Sequence, residues 1–229
     1  MVLTYAIGGA LVIALLGALF YWQLIVAEGA YLGQRTVILL YDWFAPRYDK
    51  VKGFQPQLDA RMLTAPILQH LLRHEVHQPQ VLDVATGTGR LPQALLAAHT
   101  FEGHITALDL SARMLAQAQA KLAPRSERIS WLQHDAQILP FPDESFDVVT
   151  CLESLEFFPC PPDAIREMAR VLKTEGLLVI SNRIGPDAWK LPGRTLSTAA
   201  CAETLAQLGL RDIQTVAWLV DYDLLRALK

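Results

Sequence analysis

The sequence predicts an α/β fold: a doubly wound, mostly parallel seven-stranded sheet behind an N-terminal apolar helix. Three observations predict it. From residue 80 to residue 182, apolar runs of strand length alternate with amphipathic stretches of helix length, the pattern of parallel strands joined by crossover helices. Gly87 and Gly89 separate the first such run from the first such helix, where a tight turn lets backbone come close to a ligand. Residues 1–27 carry no charged side chain.

The N-terminal stretch comes first. Residues 6–27 supply about 20 mostly apolar positions, enough for a helix to cross roughly 30 Å of hydrocarbon. Tyr21 and Trp22 near its end suit a membrane interface. A secretory signal would bring a basic leader and a short apolar core, neither of which stands before Leu3. A buried core helix or a helix lying flat on a membrane would each need a polar face, and residues 7–21 are apolar all round. The expectation is a single membrane span over residues 1–27. Arg35, Arg47, Lys50 and Lys52 follow it and no basic residue precedes it, which puts the remainder in the cytoplasm.

Residues 28–78 read as a linker and helical cap. Within it, residues 58–73 form an amphipathic helix with Leu63, Ile67, Leu68, Leu71 and Leu72 on the buried side, kinked or begun at Pro66. His70, His74 and His77 fall at i, i+4 and i+7, a spacing that suits metal ligation. No carboxylate or fourth ligand accompanies them, so a solvated helix end without metal is expected.

Residues 79–229 form the main domain. Strands are expected near 80–85, 104–109, 129–133, 146–151 and 176–182, with helices near 90–98, 112–122 and 162–172. Residues 205–229 read as a helix end, Gly209 and two short apolar strands. In such a sheet the ligand sits outside the carboxyl ends of the strands, where their order reverses. Asp83, the turn to Gly89, Asp109, Asp135 and Leu152 all fall at such ends.

Asp109 closes the second strand, where a carboxylate accepts hydrogen bonds from both hydroxyls of a ribose. A dinucleotide fingerprint wants a third glycine where this chain has Pro92, which weakens a nicotinamide reading. Asp83 opposes a pyrophosphate but suits a ligand bearing an ammonium and a sulfonium. S-adenosylmethionine carries both.

On these residues the chain resembles the class I S-adenosylmethionine-dependent methyltransferases, and within them the branch of the ubiquinone and menaquinone C-methyltransferases. The segments carrying the resemblance are 81–89 (VLDVATGTG), 107–115 (ALDLSARML), 134–136 (HDA), 139–149 (LPFPDESFDVV) and 169–181 (ARVLKTEGLLVIS). Residues 41–49 (YDWFAPRYD) resemble the family's segment that folds over the cofactor, with Tyr48 as the contact. The resemblance implies that Ala85, Thr86, Gly87, Thr88 and Gly89 meet the cofactor's amino acid portion, with Asp83 near its ammonium. It further implies Asp109 on the ribose, Leu110 and Met114 flanking adenine, Asp135 and Ala136 reading the adenine edge, and Leu152 near the methionine portion. The bland alternatives are turn-stabilising roles for Asp83 and Thr86, core packing for Leu110 and Met114, a helix cap for Asp135, and an interfacial ring for Tyr48. The last two strands look like the family's closing antiparallel hairpin. Residues 151–158 (CLESLEFF) depart from the quinone enzymes' segment and carry Phe157 where many relatives have His.

The implied chemistry is methyl transfer. Alignment of two reactants removes roughly 7–11 kcal/mol of barrier, more than the 10²–10⁴-fold typical of a general base. Glu153, Glu156 and His134 are the base candidates. A domain tethered beneath a bilayer meets amphiphiles at high local concentration, and Trp189 and Leu191 of the loop over 183–194 are placed to rest on the interface. A small lipophilic acceptor is therefore expected. A non-catalytic, membrane-anchored cofactor-binding or scaffold protein and a dinucleotide oxidoreductase are the alternatives. With 20 basic against 23 acidic residues and no basic run, nucleic acid has no support as a partner.

Overall fold

Strand β1 (Gln80–Val84) lies between β2 (His104–Asp109) and β4 (Phe146–Cys151), parallel to both. With β3 (Ile129–Gln133), β5 (Leu172–Arg183), β6 (Arg211–Leu219) and β7 (Tyr222–Leu228), they form one sheet in the order β3-β2-β1-β4-β5-β7-β6. Only β7 runs antiparallel to its two neighbours. The computed structural model describes residues 2–229, with side chains from Tyr5 onward, so Met1 of the expected span lies outside the described residues.

Register explains why chemistry collects at one edge. Asp83 pairs with Ala107 on one side and Thr150 on the other, so the carboxyl ends of β1, β2 and β4 finish level. The order reverses between β1 and β4, which opens a crevice there. Both faces of the sheet are buried, and successive residues feed opposite layers. Leu82, Val84 and Val149 pack on α8 (Pro161–Val171) through Ile165 and Met168. Val81, Ile105 and Val148 pack on the other side with Leu91 and Leu95 of α6 (Arg90–Ala97).

The helices preceding the sheet are α1 (Val2–Tyr21), α2 (Gln34–Phe44), α3 (Tyr48–Lys52), α4 (Pro56–Asp59) and α5 (Ala65–Arg73). The window Tyr5–Val26, which runs from α1 through a wide final turn, has mean hydropathy 2.1 and no buried residue.

The helix expected over 58–73 is divided by a wide turn at Ala60–Thr64. Pro66 has no N–H for the carbonyl of Met62, and Arg226 of β7 donates to that carbonyl instead, at 2.6 Å. Leu63, Ile67 and Leu71 are buried as expected, but Leu72 is 81% exposed. At about 100° per residue it stands about 140° around the helix from Ile67, beyond the apolar stripe. His70 is not solvated: it is buried, with its ring 4.4 Å from that of His74. Burial, and then the neighbouring His74 and Arg73, lower its pKa to about 4.

The remaining helices are α7 (Ala112–Leu122), α9 (Gly185–Trp189) and α10 (Thr198–Gln207). In the loop around α9, Trp189 is exposed but Leu191 is fully buried, so the pair expected at the surface is reduced to the tryptophan.

Candidate functional site

The floor of the crevice is the turn after β1. Ala85 and Gly87 both hold φ +54°, and Gly89 holds +79°. A non-glycine residue in that region costs about 1–3 kcal/mol, and Ala85 keeps it because the turn is tied on both sides. Thr86 N donates to Leu108 O at 2.8 Å, and Gly87 N donates to Asp109 Oδ2 at 2.8 Å. A Cβ on Gly87 would meet nothing within 4 Å, because that side of the glycine faces open space. On Gly89 a Cβ would come within 3.2 Å of Ala118 and 3.1 Å of Leu122, so this glycine lets α6 start against α7.

Two carboxylates lie beneath the turn. Asp83 accepts from Thr150 Oγ1 and Thr86 Oγ1, each at 2.6 Å. Burial raises its pKa to about 6 against the opposing pull of those two hydroxyls, and Asp109 adds to the rise. Asp109 Oδ1 accepts from Ser111 N at 2.8 Å, and burial likewise raises its pKa.

Above the floor is an open cavity of about 740 Å³, its solvent-filled mouth included. Tyr48, Ala85, Gly87, Asp109, Leu110, Met114, Asp135, Ala136 and Leu152 line it, together with His134 and Glu153. A smaller space of about 360 Å³ adjoins it, sharing Tyr48, Ala85, Gly87, Leu152 and Glu153 and adding Asp83, Thr86 and Thr88. Of the residues expected at the cofactor, Gly89 lines neither space.

Sequence reasoning missed most of the roof. Gln34, Val37, Ile38 and Tyr41 of α2 line the larger space, as do Phe157 and Phe158. Each roof element sends a polar side chain to the floor. Gln34 Nε2 donates to Asp135 Oδ2 at 3.0 Å, and Ser111 Oγ donates to Asp42 Oδ1 at 2.5 Å. Thr88 Oγ1 donates to Asp49, and Lys52 Nζ lies 2.6 Å from Glu153 Oε2. Asp59 accepts from Arg90 Nε at 3.0 Å and Nη2 at 2.6 Å, while Arg90 Nη1 reaches Glu153 Oε1 at 2.5 Å. The Arg90 guanidinium also lies over the rings of Phe54 and Trp218, at 4.6 and 4.5 Å. The amphipathic pattern of residues 34–44 was the available signal for this roof.

Two of the three base candidates are paired with cations. Glu153 borders both spaces, but its carboxylate is held by Arg90 and Lys52. Glu156 borders neither; it is buried against the Tyr222 hydroxyl, with Arg183 Nε at 3.1 Å. Burial raises its pKa against the pull of Arg183. His134 lies at the Asp135 end, with Nδ1 3.1 Å from Asp135 O.

Comparison with known proteins accords with this geometry. Residues 82–180 match a family model described as a methyltransferase domain. A demethylmenaquinone methyltransferase of Thermotoga maritima is 32% identical over 167 residues, covering 72% of this chain and 69% of that protein. A malonyl-(acyl-carrier protein) O-methyltransferase of Halorhodospira halophila is 32% identical over 154 residues, 67% of this chain. The chain covers only half of that relative's length. Among solved structures, the (4+2)-cyclase SpnF aligns with a TM-score of 0.68 at 23% identity, over 86% of this chain and 97% of that one, a likeness of fold. By its glycine turn, its strand-end carboxylates and its sequence relatives, the chain belongs to the S-adenosylmethionine-dependent methyltransferases.

Proposed function

We propose that this protein transfers a methyl group from S-adenosylmethionine to a small lipophilic acceptor, from a domain held on the cytoplasmic face of a membrane by the helix within residues 1–27. The observation that carries the reading is the two-sided cavity. Its floor is polar and strand-borne, while its roof offers Val37 and Ile38 from the helix that follows the apolar segment, and Phe157 and Phe158 from the segment after β4.

The residues present fit the cofactor. Asp109 lines the cavity, Gly87 leaves open space where any side chain would stand, and Leu110 and Met114 offer apolar surface beside Asp109 for a flat base. On this reading Asp109 accepts from the ribose hydroxyls and Asp135 with Ala136 meets the adenine edge. The turn from Ala85 to Thr88, with Asp83 beneath, receives the amino acid portion. Gly89 serves by packing.

The bound cofactor supplies an electrophilic methyl group on its sulfonium; the protein supplies alignment and a dry cavity. Tyr48 stands where the two spaces meet. Burial, followed by the charges of Glu153, Glu28 and Asp109, lifts its hydroxyl far above the usual tyrosine range, so it remains a proton donor. It orients an acceptor rather than deprotonating it. With Glu153 and Glu156 held by cations, the reaction rests on positioning.

Incubating the protein in lipid extracts of membranes with methyl-labelled cofactor tests this reading. Label in organic-extractable products is the expected result. Label only in water-soluble products overturns the lipophilic acceptor, and cofactor binding without transfer to any fraction favours the non-catalytic alternative.

A further inference from the structure

Helix α2 has two apolar sides, and the cavity accounts for only one of them. Val37, Ile38 and Tyr41 face inward, while Leu39 is 68% and Trp43 67% exposed. Leu32 before the helix and Val51 in α3 are exposed as well. Arg35, Leu39 and Trp43 stand four residues apart, so they share the outer face of the helix.

The charges on this face have one sign. Arg35, Arg47 and Lys50 are exposed, and the Arg47 guanidinium lies 5.8 Å from the Trp43 ring centroid. The two acids of the same stretch are turned to the domain: Asp42 to Ser111 Oγ and Arg113 N, Asp49 to Thr88 and Lys121. A chain of net charge −3 thus presents a cationic, apolar face at this helix.

The end of the apolar helix is held to the domain a short way before this face. Trp22 stacks on Tyr31 at 5.1 Å and donates through Nε1 to Lys190 O at 3.2 Å, and Tyr31 donates to Pro192 O at 2.8 Å. Seven residues lie between Val26 and Gln34, eight steps of chain, so α2 begins at most about 28 Å from the helix end.

We propose that the outer face of α2 lies on the anionic headgroups of the bilayer that holds α1, with Leu39 and Trp43 in the interface and Arg35, Arg47 and Lys50 on lipid phosphates. This rests on the anchoring reading above and extends it, because the helix that roofs the cavity becomes a lipid-contacting element. Interleaved cations suit an anionic lipid surface and disfavour a second copy of the same face, since protein interface cores are depleted in charge.

The full chain reconstituted in vesicles containing phosphatidylglycerol with brominated acyl chains provides the test. Quenching of tryptophan emission is expected to fall measurably in Trp43→Phe. The triple variant Arg35→Gln, Arg47→Gln, Lys50→Gln is expected to weaken that Trp43-dependent quenching severalfold. Trp22→Phe reports the anchor separately. Loss of quenching in Trp22→Phe alone, with Trp43→Phe unchanged, leaves the anchor standing and overturns the lipid-facing roof. No quenching of either, with the protein extracted by alkaline carbonate, overturns the anchor itself. Concentration-dependent crosslinking through position 43 without quenching assigns the face to a second copy and also overturns the proposal.

Discussion

The floor and the roof of the crevice are built by different physics. The floor hangs from parallel strands whose register places Asp83 beside Thr150 and Asp109 beside the glycine turn, and its polar groups are bonded within a few residues or across one strand. The roof has no sheet to hold it. It is pinned by side-chain polar contacts from successive segments: Gln34 to Asp135, Asp42 to Ser111, Asp49 to Thr88, Lys52 to Glu153 and Asp59 to Arg90. A floor of this kind holds a cofactor in a fixed pose.

The sharpest way to break the comparison is at Arg90, where the roof is most deeply pinned. Arg90→Ala leaves the buried Asp59 carboxylate without its partner and removes the stacking on Phe54 and Trp218. The expected loss is about 3–5 kcal/mol in denaturant unfolding. A loss below about 1 kcal/mol would mean that the roof is held by something else.

On the floor, Asp109→Ala would remove the acceptor proposed for two ribose hydroxyls, each charged bond being worth roughly 1.5–3 kcal/mol. The dissociation constant for S-adenosylhomocysteine is expected to rise at least about 100-fold by calorimetry, since 1.4 kcal/mol is a factor of ten. An unchanged constant would show that the ligand lies elsewhere.

Asp83 sharpens the contrast through pH. Its folded pKa of about 6 exceeds the usual carboxylate value, so the folded state holds its proton more tightly than the unfolded state does. Its contribution to stability is therefore most favourable at acid pH and declines as pH rises from about 4 to about 6. A ligand ammonium prefers the ionised form, so affinity is expected to tighten about tenfold between pH 5 and pH 7. Asp83→Asn should flatten both profiles, and a slope that survives the substitution would reassign the titrating group.

The smallest effect belongs to the outermost pin. Lys52 is partly exposed in its pair with Glu153, and such pairs contribute about 0–1 kcal/mol. Lys52→Met should leave unfolding nearly unchanged, while high salt should remove whatever difference in cofactor affinity it makes.

Much of the floor was legible before any coordinates. The glycine turn, Asp83, Asp109 and the strand and helix succession announce themselves locally, because strand-end carboxylates and positive-φ turns need particular residue types in short range. Glu153 and Glu156 were not legible. Each reads as a base candidate or as a carboxylate bonded to backbone at a strand edge, and each is held by partners distant in the chain, Arg90 and Lys52 for one, Arg183 and Tyr222 for the other. Gly89 shows the same limit: a glycine of a ligand turn by sequence, a helix-packing glycine against Ala118 and Leu122 in space.

From sequence alone, then, came the sheet, its ligand edge and an uncharged N-terminal stretch long enough to span a bilayer, because hydrophobic period, turn chemistry and the absence of charge are properties of neighbours along the chain. The folded structure decided which carboxylates face the cavity, that Leu191 and His70 are inside and Leu72 outside, and that α2 forms the roof. Those outcomes depend on which side chains meet across long separations, where pairing and burial set charge and exposure and no local pattern records them.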